Sequence, residues 1–218
     1  MRFLLPAILV ILLPVCAPAG LYVQKDSISP DHSCAFAINY PPVPKSPDGF
    51  MQACFVNPKT QKRIGDFFYL PYADAETYAP GSYIYENYHN FDYAWSADST
   101  HVAVTNNYRH GGRIFPFRRS GTDMQMLQMP DLAALLKERL AGVLRESIHT
   151  SITASHWEQN HRLVVTISRD AQVTDTSIPA DKTWNEKDWR NYLLRFTISF
   201  DPAGKPTIET TKFTIGAP

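Results

Sequence analysis

WSADSTHVAVTNN, residues 95–107, is the stretch that decides the fold of this chain. Residues 97–99 have the small polar side chains of a tight turn, which bond to their own backbone and tolerate unusual backbone angles. Residues 101–105 then alternate valine with other side chains, the period-two pattern of a strand with one buried face. The stretch therefore predicts a polar turn that leads into a half-buried β-strand.

The same pattern occurs at two other places in the chain. Residues 28–40, ISPDHSCAFAINY, align with 95–107 without gaps and share a serine, an aspartate and an asparagine with it, namely Ser29, Asp31 and Asn39. A weaker third copy, WEQNHRLVVT at 157–166, needs a one-residue gap. These copies predict an imperfect repeat of turn-and-strand units.

The turns of the first two copies resemble those of β-propeller blades. SPD at residues 29–31 and WSADS at 95–99 are similar to SPDG and WSPDS turns, the second in the manner of TolB and WD40-like propellers. The chain also resembles small exported bacterial proteins of unknown function that carry an SPDG hairpin, an NPKTG-like hairpin, a WSPDS hairpin and a helix. NPKTQ at 57–61 stands in the second position, with Gln61 replacing the usual glycine. The resemblance spans about 27–144 and implies hairpins without implying an activity.

A complete propeller is not expected, because it needs at least four blades of about forty residues each. The copies are too few and too widely spaced for that. We expect a mainly β fold of antiparallel, blade-like hairpins, arranged as an open twisted sheet, as two blade-like sheets or as a partial propeller. One amphipathic helix is predicted at about 131–150, because apolar residues recur there at spacings of three and four. It should pack across a sheet.

Residues 1–19 have the pattern of a secretory signal peptide. Arg2 precedes an apolar run over 3–15, and APA at 17–19 fits a cleavage site. The apolar run is shorter than the roughly twenty residues that a spanning helix needs. We therefore expect a single β-rich domain at 20–218, located in the periplasm or outside the cell, with no membrane attachment after cleavage.

The three cysteines bear on the same export hypothesis. Lipidation at Cys16 is an alternative, but Val15 stands where a small residue would be expected. For Cys34 and Cys54 we predict a disulfide, because pairing 33–40 with 50–57 as a hairpin would place them opposite each other. Two buried free thiols are the alternative.

Charge and composition limit the partners. The full sequence carries 21 basic and 21 acidic residues, and a near-neutral chain is a poor match for nucleic acid.

Residues 67–93 hold ten aromatic side chains, and loop tyrosines are common contact groups for sugars and proteins. We predict a recognition surface formed by Tyr83, Tyr85, Tyr88 and His89. The alternative is that these rings pack the loop onto a sheet.

A second candidate site is NNYRHGGR at 106–113, which gathers Arg109, His110 and Arg113 around two glycines and could hold an anion. A His-Gly-Gly run also occurs in esterase oxyanion loops, but the chain lacks the G-x-S-x-G nucleophile turn that such enzymes need. The alternative is a hairpin turn with solvated charges.

No catalytic residue, cofactor or metal site is predicted from the sequence. His149, His156 and His161 are too irregularly spaced for the H-E-x-x-H arrangement, which places two ligands on one helical face. The leading hypothesis is an exported binding or interaction module for a protein or carbohydrate ligand. The alternatives are a hydrolase acting on the cell envelope or on carbohydrate, and a structural envelope component.

Overall fold

The computed structural model describes residues 20–40, 50–71, 90–108, 111–132, 134–135, 144–173 and 189–215. The first sheet comprises β1 to β4, at Gly20–Val23, Ala35–Tyr40, Phe50–Val56 and Arg63–Pro71. The second comprises β5 to β8, at Asn90–Trp95, His101–Tyr108, Gly111–Ser120 and Asp123–Met126. The third comprises β9 to β12, at Leu144–Glu158, Arg162–Val173, Trp189–Phe200 and Pro206–Ile215. Two short 3-10 helices occupy Lys25–Ser27 and Gln159–His161.

All three sheets are four-stranded, and in each one the strands pair antiparallel in chain order. This meander is the arrangement found in propeller blades. The predicted fold class, mainly β with open antiparallel sheets, is confirmed. The described residues form one more sheet than the two blade-like sheets that the sequence suggested.

The third sheet replaces much of the predicted helix. β9 covers Leu144–Glu158, so the prediction of a helix over about 131–150 is wrong from residue 144 onward. Helical backbone is described only at 132 and 134–135, where the Asp131 side chain accepts the Ala134 N–H at 2.9 Å; residues 136–143 lie outside the described ranges. The periodicity misled because pairing of β9 with β10 along the whole strand overrides local helical spacing.

The second sheet lies between the other two and is buried on both faces. Val102 and Val104 of β6 face the first sheet, in a core with Phe36, Phe55 and Phe117. Ala103, the residue between those valines, faces the third sheet, in a core with Ile114, Val165, Ile167 and Phe196. The half-buried strand predicted over 101–105 is therefore fully buried, because a second sheet covers its other face.

The far face of the third sheet carries a row of polar residues. Thr166, Arg195 and Lys212 lie side by side across β10, β11 and β12, and the two basic side chains are exposed. Polar residues on one face and a packed core on the other are typical of an antiparallel sheet at the edge of a stack. No helix within the described ranges is long and apolar enough to cross a membrane.

The predicted disulfide between Cys34 and Cys54 is wrong, and both thiols are free and buried. The β2–β3 register pairs Cys54 with Ala37, three positions from the predicted partner. An odd shift moves a side chain to the opposite face of a sheet. Cys34 accordingly lies in the core between the first two sheets, while Cys54 lies in a small cluster on the other side of the first sheet.

Candidate functional site

The first two repeat copies form the same turn, which explains the residues they share. Ser29 donates to Asp31 Oδ1 and Ser96 donates to Asp98 Oδ1, each at 2.6 Å. Each serine Oγ also accepts a backbone N–H five residues on, from Cys34 at 3.0 Å and from His101 at 2.9 Å. The serine and the aspartate therefore fix the turn and the start of the following strand.

The third copy docks on the second as the second docks on the first. Trp95 Nε1 donates to the Ser27 carbonyl at 2.8 Å, and Trp157 Nε1 donates to the Ala94 carbonyl at 2.9 Å. Each acceptor is the residue just before the preceding copy. Trp95 pairs with Val102 across its turn and Trp157 with Leu163, so the third turn is one residue shorter. The gap in the sequence alignment is this missing residue.

The fifth residue of each copy has a positive backbone φ, and in the second and third copies it contacts the turn of the preceding copy. His32, Ser99 and His161 have φ values of 55°, 60° and 56°. Ser99 Oγ accepts the Asp31 N–H of the first turn at 3.1 Å. His161 Nε2 lies 2.8 Å from Asp98 Oδ2 of the second turn. The repeat thus places a histidine of the third copy against the carboxylate of the second.

A cluster of Asp98, Thr100, His101 and His161, the turn cluster, forms where these two copies meet. The Thr100 hydroxyl lies 2.8 Å from Asp98 Oδ1, 2.9 Å from His101 Nδ1 and 3.2 Å from His161 Nε2. The two imidazole rings stack with centroids 4.1 Å apart, and Trp157 contacts the His101 ring at 5.0 Å. One hydroxyl therefore marks the point on which a carboxylate and two imidazoles converge.

The surroundings of the turn cluster leave both its acid and its buried base deprotonated at neutral pH. Partial burial raises the pKa of Asp98, but hydrogen bonds from Ser96, His161 and Thr100 outweigh it and leave the pKa well below its usual range. Burial, aided by the nearby His161 and Arg118 and opposed by Asp98, lowers the pKa of His101 to about 4. Asp98 is ionised and His101 is a neutral imidazole with an available lone pair.

The equivalent carboxylate of the first turn has different partners. Arg119 lies 3.4 Å from Asp31 Oδ2 and donates to Ser33 Oγ at 2.5 Å. Partial burial raises the pKa of Asp31, yet hydrogen bonds from Ser29 and Ser33, with the Arg119 charge, lower it to about 2. The Arg119 guanidinium therefore lies beside the aspartate of the first turn, whereas imidazoles lie beside the aspartate of the second.

Most residues of the two sites predicted from sequence lie outside the described ranges, namely Tyr83, Tyr85, Tyr88, His89, Arg109 and His110. Arg113 is exposed on β7, opposite Asn106. At the described ends of the aromatic segment, Phe68, Phe91 and Tyr93 pack against the core between the first two sheets, which is the packing alternative. Tyr69 is 59% exposed.

Sequence reasoning missed the turn cluster because it searched for histidines close together along the chain. His156 is exposed on β9, His149 has no described side chain, and His161 joins the cluster. The repeat alignment held the missing signal. Position five of one copy lies beside the aspartate of the previous copy, so His161 and Asp98 could have been paired from their positions alone.

No protein-family model matches this sequence, and no curated protein matches it. Chemically, the turn cluster combines one carboxylate, two imidazoles and a hydroxyl contributed by two sheets. Such a set can share protons through hydrogen bonds or bind a cation. The carboxylates of Asp31 and Asp98 also accept hydrogen bonds within their own turns.

Proposed function

We propose that this protein is an exported binding or interaction module that recognises a protein or carbohydrate ligand through residues 72–89, the connection between its first two sheets. The anchoring of both ends of this connection carries the proposal. β4 ends at Pro71 and β5 begins at Asn90. Leu70 is fully buried, and the Phe91 and Tyr93 rings lie 5.3 and 5.5 Å from Phe36 in the shared core.

The composition of the connection supports a contact role. Residues 72–89 contain five tyrosines, and Tyr83, Tyr85, Tyr88 and His89 are grouped near its end. Tyrosine offers a large amphipathic surface with few rotatable bonds, so little conformational entropy is lost on binding. Loops held at both ends by a rigid scaffold commonly carry recognition. Export follows from the signal-peptide pattern of residues 1–19.

The two turn aspartates, Asp31 and Asp98, act as a scaffold would use them. Asp31 and Asp98 are each held by several hydrogen bonds within their turns and by a basic partner from a neighbouring segment, Arg119 or His161. Carboxylates used in this way fix the turns and tie the sheets together. A glycosidase instead needs a pair of carboxylates set around a substrate cleft.

The test compares the wild-type protein with a variant in which Tyr83, Tyr85, Tyr88 and His89 are all alanine. Both are immobilised, and retention of envelope proteins and of soluble envelope oligosaccharides is measured by surface binding. We expect the variant to lose retention of one ligand class while its thermal midpoint stays unchanged, because the described core between the first two sheets is built from other residues.

A matched control replaces the exposed tyrosines Tyr22 and Tyr69 with alanine. These side chains are 60% and 59% exposed, so the control removes comparable aromatic surface elsewhere and should bind as the wild type does. Equal retention by all three proteins would contradict the proposal. Release of new reducing ends from the oligosaccharide by the wild-type protein would instead identify the hydrolase.

A further inference from the structure

We propose that Asp98, His101 and His161 form a binding site for one divalent transition-metal ion of the zinc class, which links the second sheet to the third. The inference is independent of the ligand proposed above. Its three residues come from two repeat copies, and each offers a ligand atom within 4.8 Å of the others. The position of this site at a sheet junction gives the ion a stabilising role.

The donor atoms already converge. The Thr100 hydroxyl contacts Asp98, His101 and His161 at 2.8 to 3.2 Å, so their donor atoms face a common point. Ligands of a tetrahedral zinc ion lie about 3.4 Å apart, given metal–ligand distances near 2.1 Å. His161 Nε2 and Asp98 Oδ2 are 2.8 Å apart. To accept the ion, the side chains of His161 and Asp98 must rotate, with His161 leaving its stack on the His101 ring.

The two exposed ligands can make those rotations, whereas the third is held in place. The side chains of His161 and Asp98 are 45% and 50% exposed, which also leaves a path for the ion from solvent. His101 is 7% exposed, and its ring is held in place by burial and by contact with Trp157. One rigid and two adjustable ligands suit a site that closes when the ion arrives.

The chemistry of the donor set selects the class of ion. Two imidazoles with one carboxylate suit zinc, copper, nickel or iron(II), whereas calcium and magnesium prefer oxygen ligands throughout. Thr100 Oγ1 or a water can complete a four-coordinate sphere.

The experiment uses the untagged purified protein after treatment with a chelator. Zn²⁺ is titrated by calorimetry, and the thermal midpoint is recorded with and without Zn²⁺. We expect one ion per chain and a higher midpoint with zinc, because the ion binds the folded state only. His161→Asn should lower zinc affinity at least about tenfold and remove the midpoint shift, since even partners of metal ligands contribute that much.

His32→Asn is the matched control. His32 has the same positive φ in the first copy as His161 has in the third, and asparagine tolerates that backbone conformation. The first turn, however, has Arg119 beside its carboxylate. The control should therefore bind zinc as the wild type does. Equal loss in both variants, or unchanged binding in His161→Asn, would overturn the site.

A second measurement needs no variant and so does not depend on how a variant folds. Diethyl pyrocarbonate modifies accessible imidazoles, and His32, His156 and His161 are all exposed. Mass spectrometry of the modified wild-type protein should show that Zn²⁺ protects His161 alone. Protection spread equally over the three, or no protection, would mean that the turn cluster is a hydrogen-bonded junction without a metal.

Discussion

At the scale of single residues, the aspartate of each of the first two repeat copies has two structural roles. Asp31 and Asp98 each complete their own turn and also pair with a basic group from elsewhere in the chain. A carboxylate with several hydrogen-bond donors has a lowered pKa in the folded protein, so its ionised form contributes to stability at neutral pH. The aspartates are therefore as much structural groups as candidate ligands.

This stabilisation should disappear in acid. The pKa of Asp31 is about 2 in the folded protein, against an ordinary value of 3.8. A lowered pKa stabilises the fold fully above about pH 4, and the contribution is lost as pH falls toward 2. Urea unfolding from pH 5 to pH 2 should show a steeper loss of stability in the wild type than in Asp31→Asn. Parallel pH profiles would contradict this prediction.

The cysteines give a second prediction for single residues. Burial raises the pKa of Cys34 to about 12 and that of Cys54 to about 11. Because the thiolate is the reactive form, both should resist iodoacetamide at pH 8 in the folded protein and react once it is denatured. Peptide mass spectrometry under non-reducing conditions checks this. A peptide pair linked through Cys34 and Cys54 would contradict it.

At the scale of elements, the sequence predicted the turns and strands that depend on residues close together in the chain. The turn at 97–99 and strand β6 were recoverable because turn residues and alternation act over a few positions. β9 was not, because its hydrogen-bond partners lie in β10 and its apolar residues also fit a helical stripe. The Cys34–Cys54 error has a similar cause, since strand register depends on which faces become buried.

The candidate site also combines features that local sequence determines with features that depend on packing. Asp98 was recognisable as a turn residue, but its contact with His161 depends on how one sheet lies against the next. Thr100 and His101 belonged to the stretch that decided the fold, and they were assigned only structural roles. Neighbours along the chain were therefore predictable, whereas the convergence of donors from two sheets required the packing.

The tryptophan contacts between copies allow a test of the junctions between sheets. Trp157→Phe removes the bond from Nε1 to the Ala94 carbonyl and reduces packing against the core of the third sheet. We expect a loss of about 1–3 kcal/mol in the free energy of unfolding, from a lost hydrogen bond and an incompletely filled site. Trp95→Phe breaks the equivalent bond to Ser27 and should cost a similar amount in urea unfolding. A loss in one variant only would show that the two junctions are not equivalent.

At the scale of the whole molecule, the three sheets share their cores through the middle sheet. Valines of β6 pack toward the first sheet, and Ala103 between them packs toward the third. Thr105 Oγ1 also accepts the Ala154 N–H of β9 at 3.2 Å. A strand that belongs to two cores couples them, because neither core survives the loss of that strand. The stack should therefore unfold as one unit.

Phe117→Ala tests this coupling. Phe117 is 1% exposed in the core between the first two sheets, with ring contacts to Phe55 at 5.0 Å and to Phe68 at 4.6 Å. Truncating a buried phenylalanine costs about 3–5 kcal/mol. Because β7 pairs with every residue of β6, native-state hydrogen exchange should show reduced protection in β10 and β11 of the third sheet as well. Unchanged protection there, with losses confined to the first two sheets, would mean that the third sheet unfolds on its own.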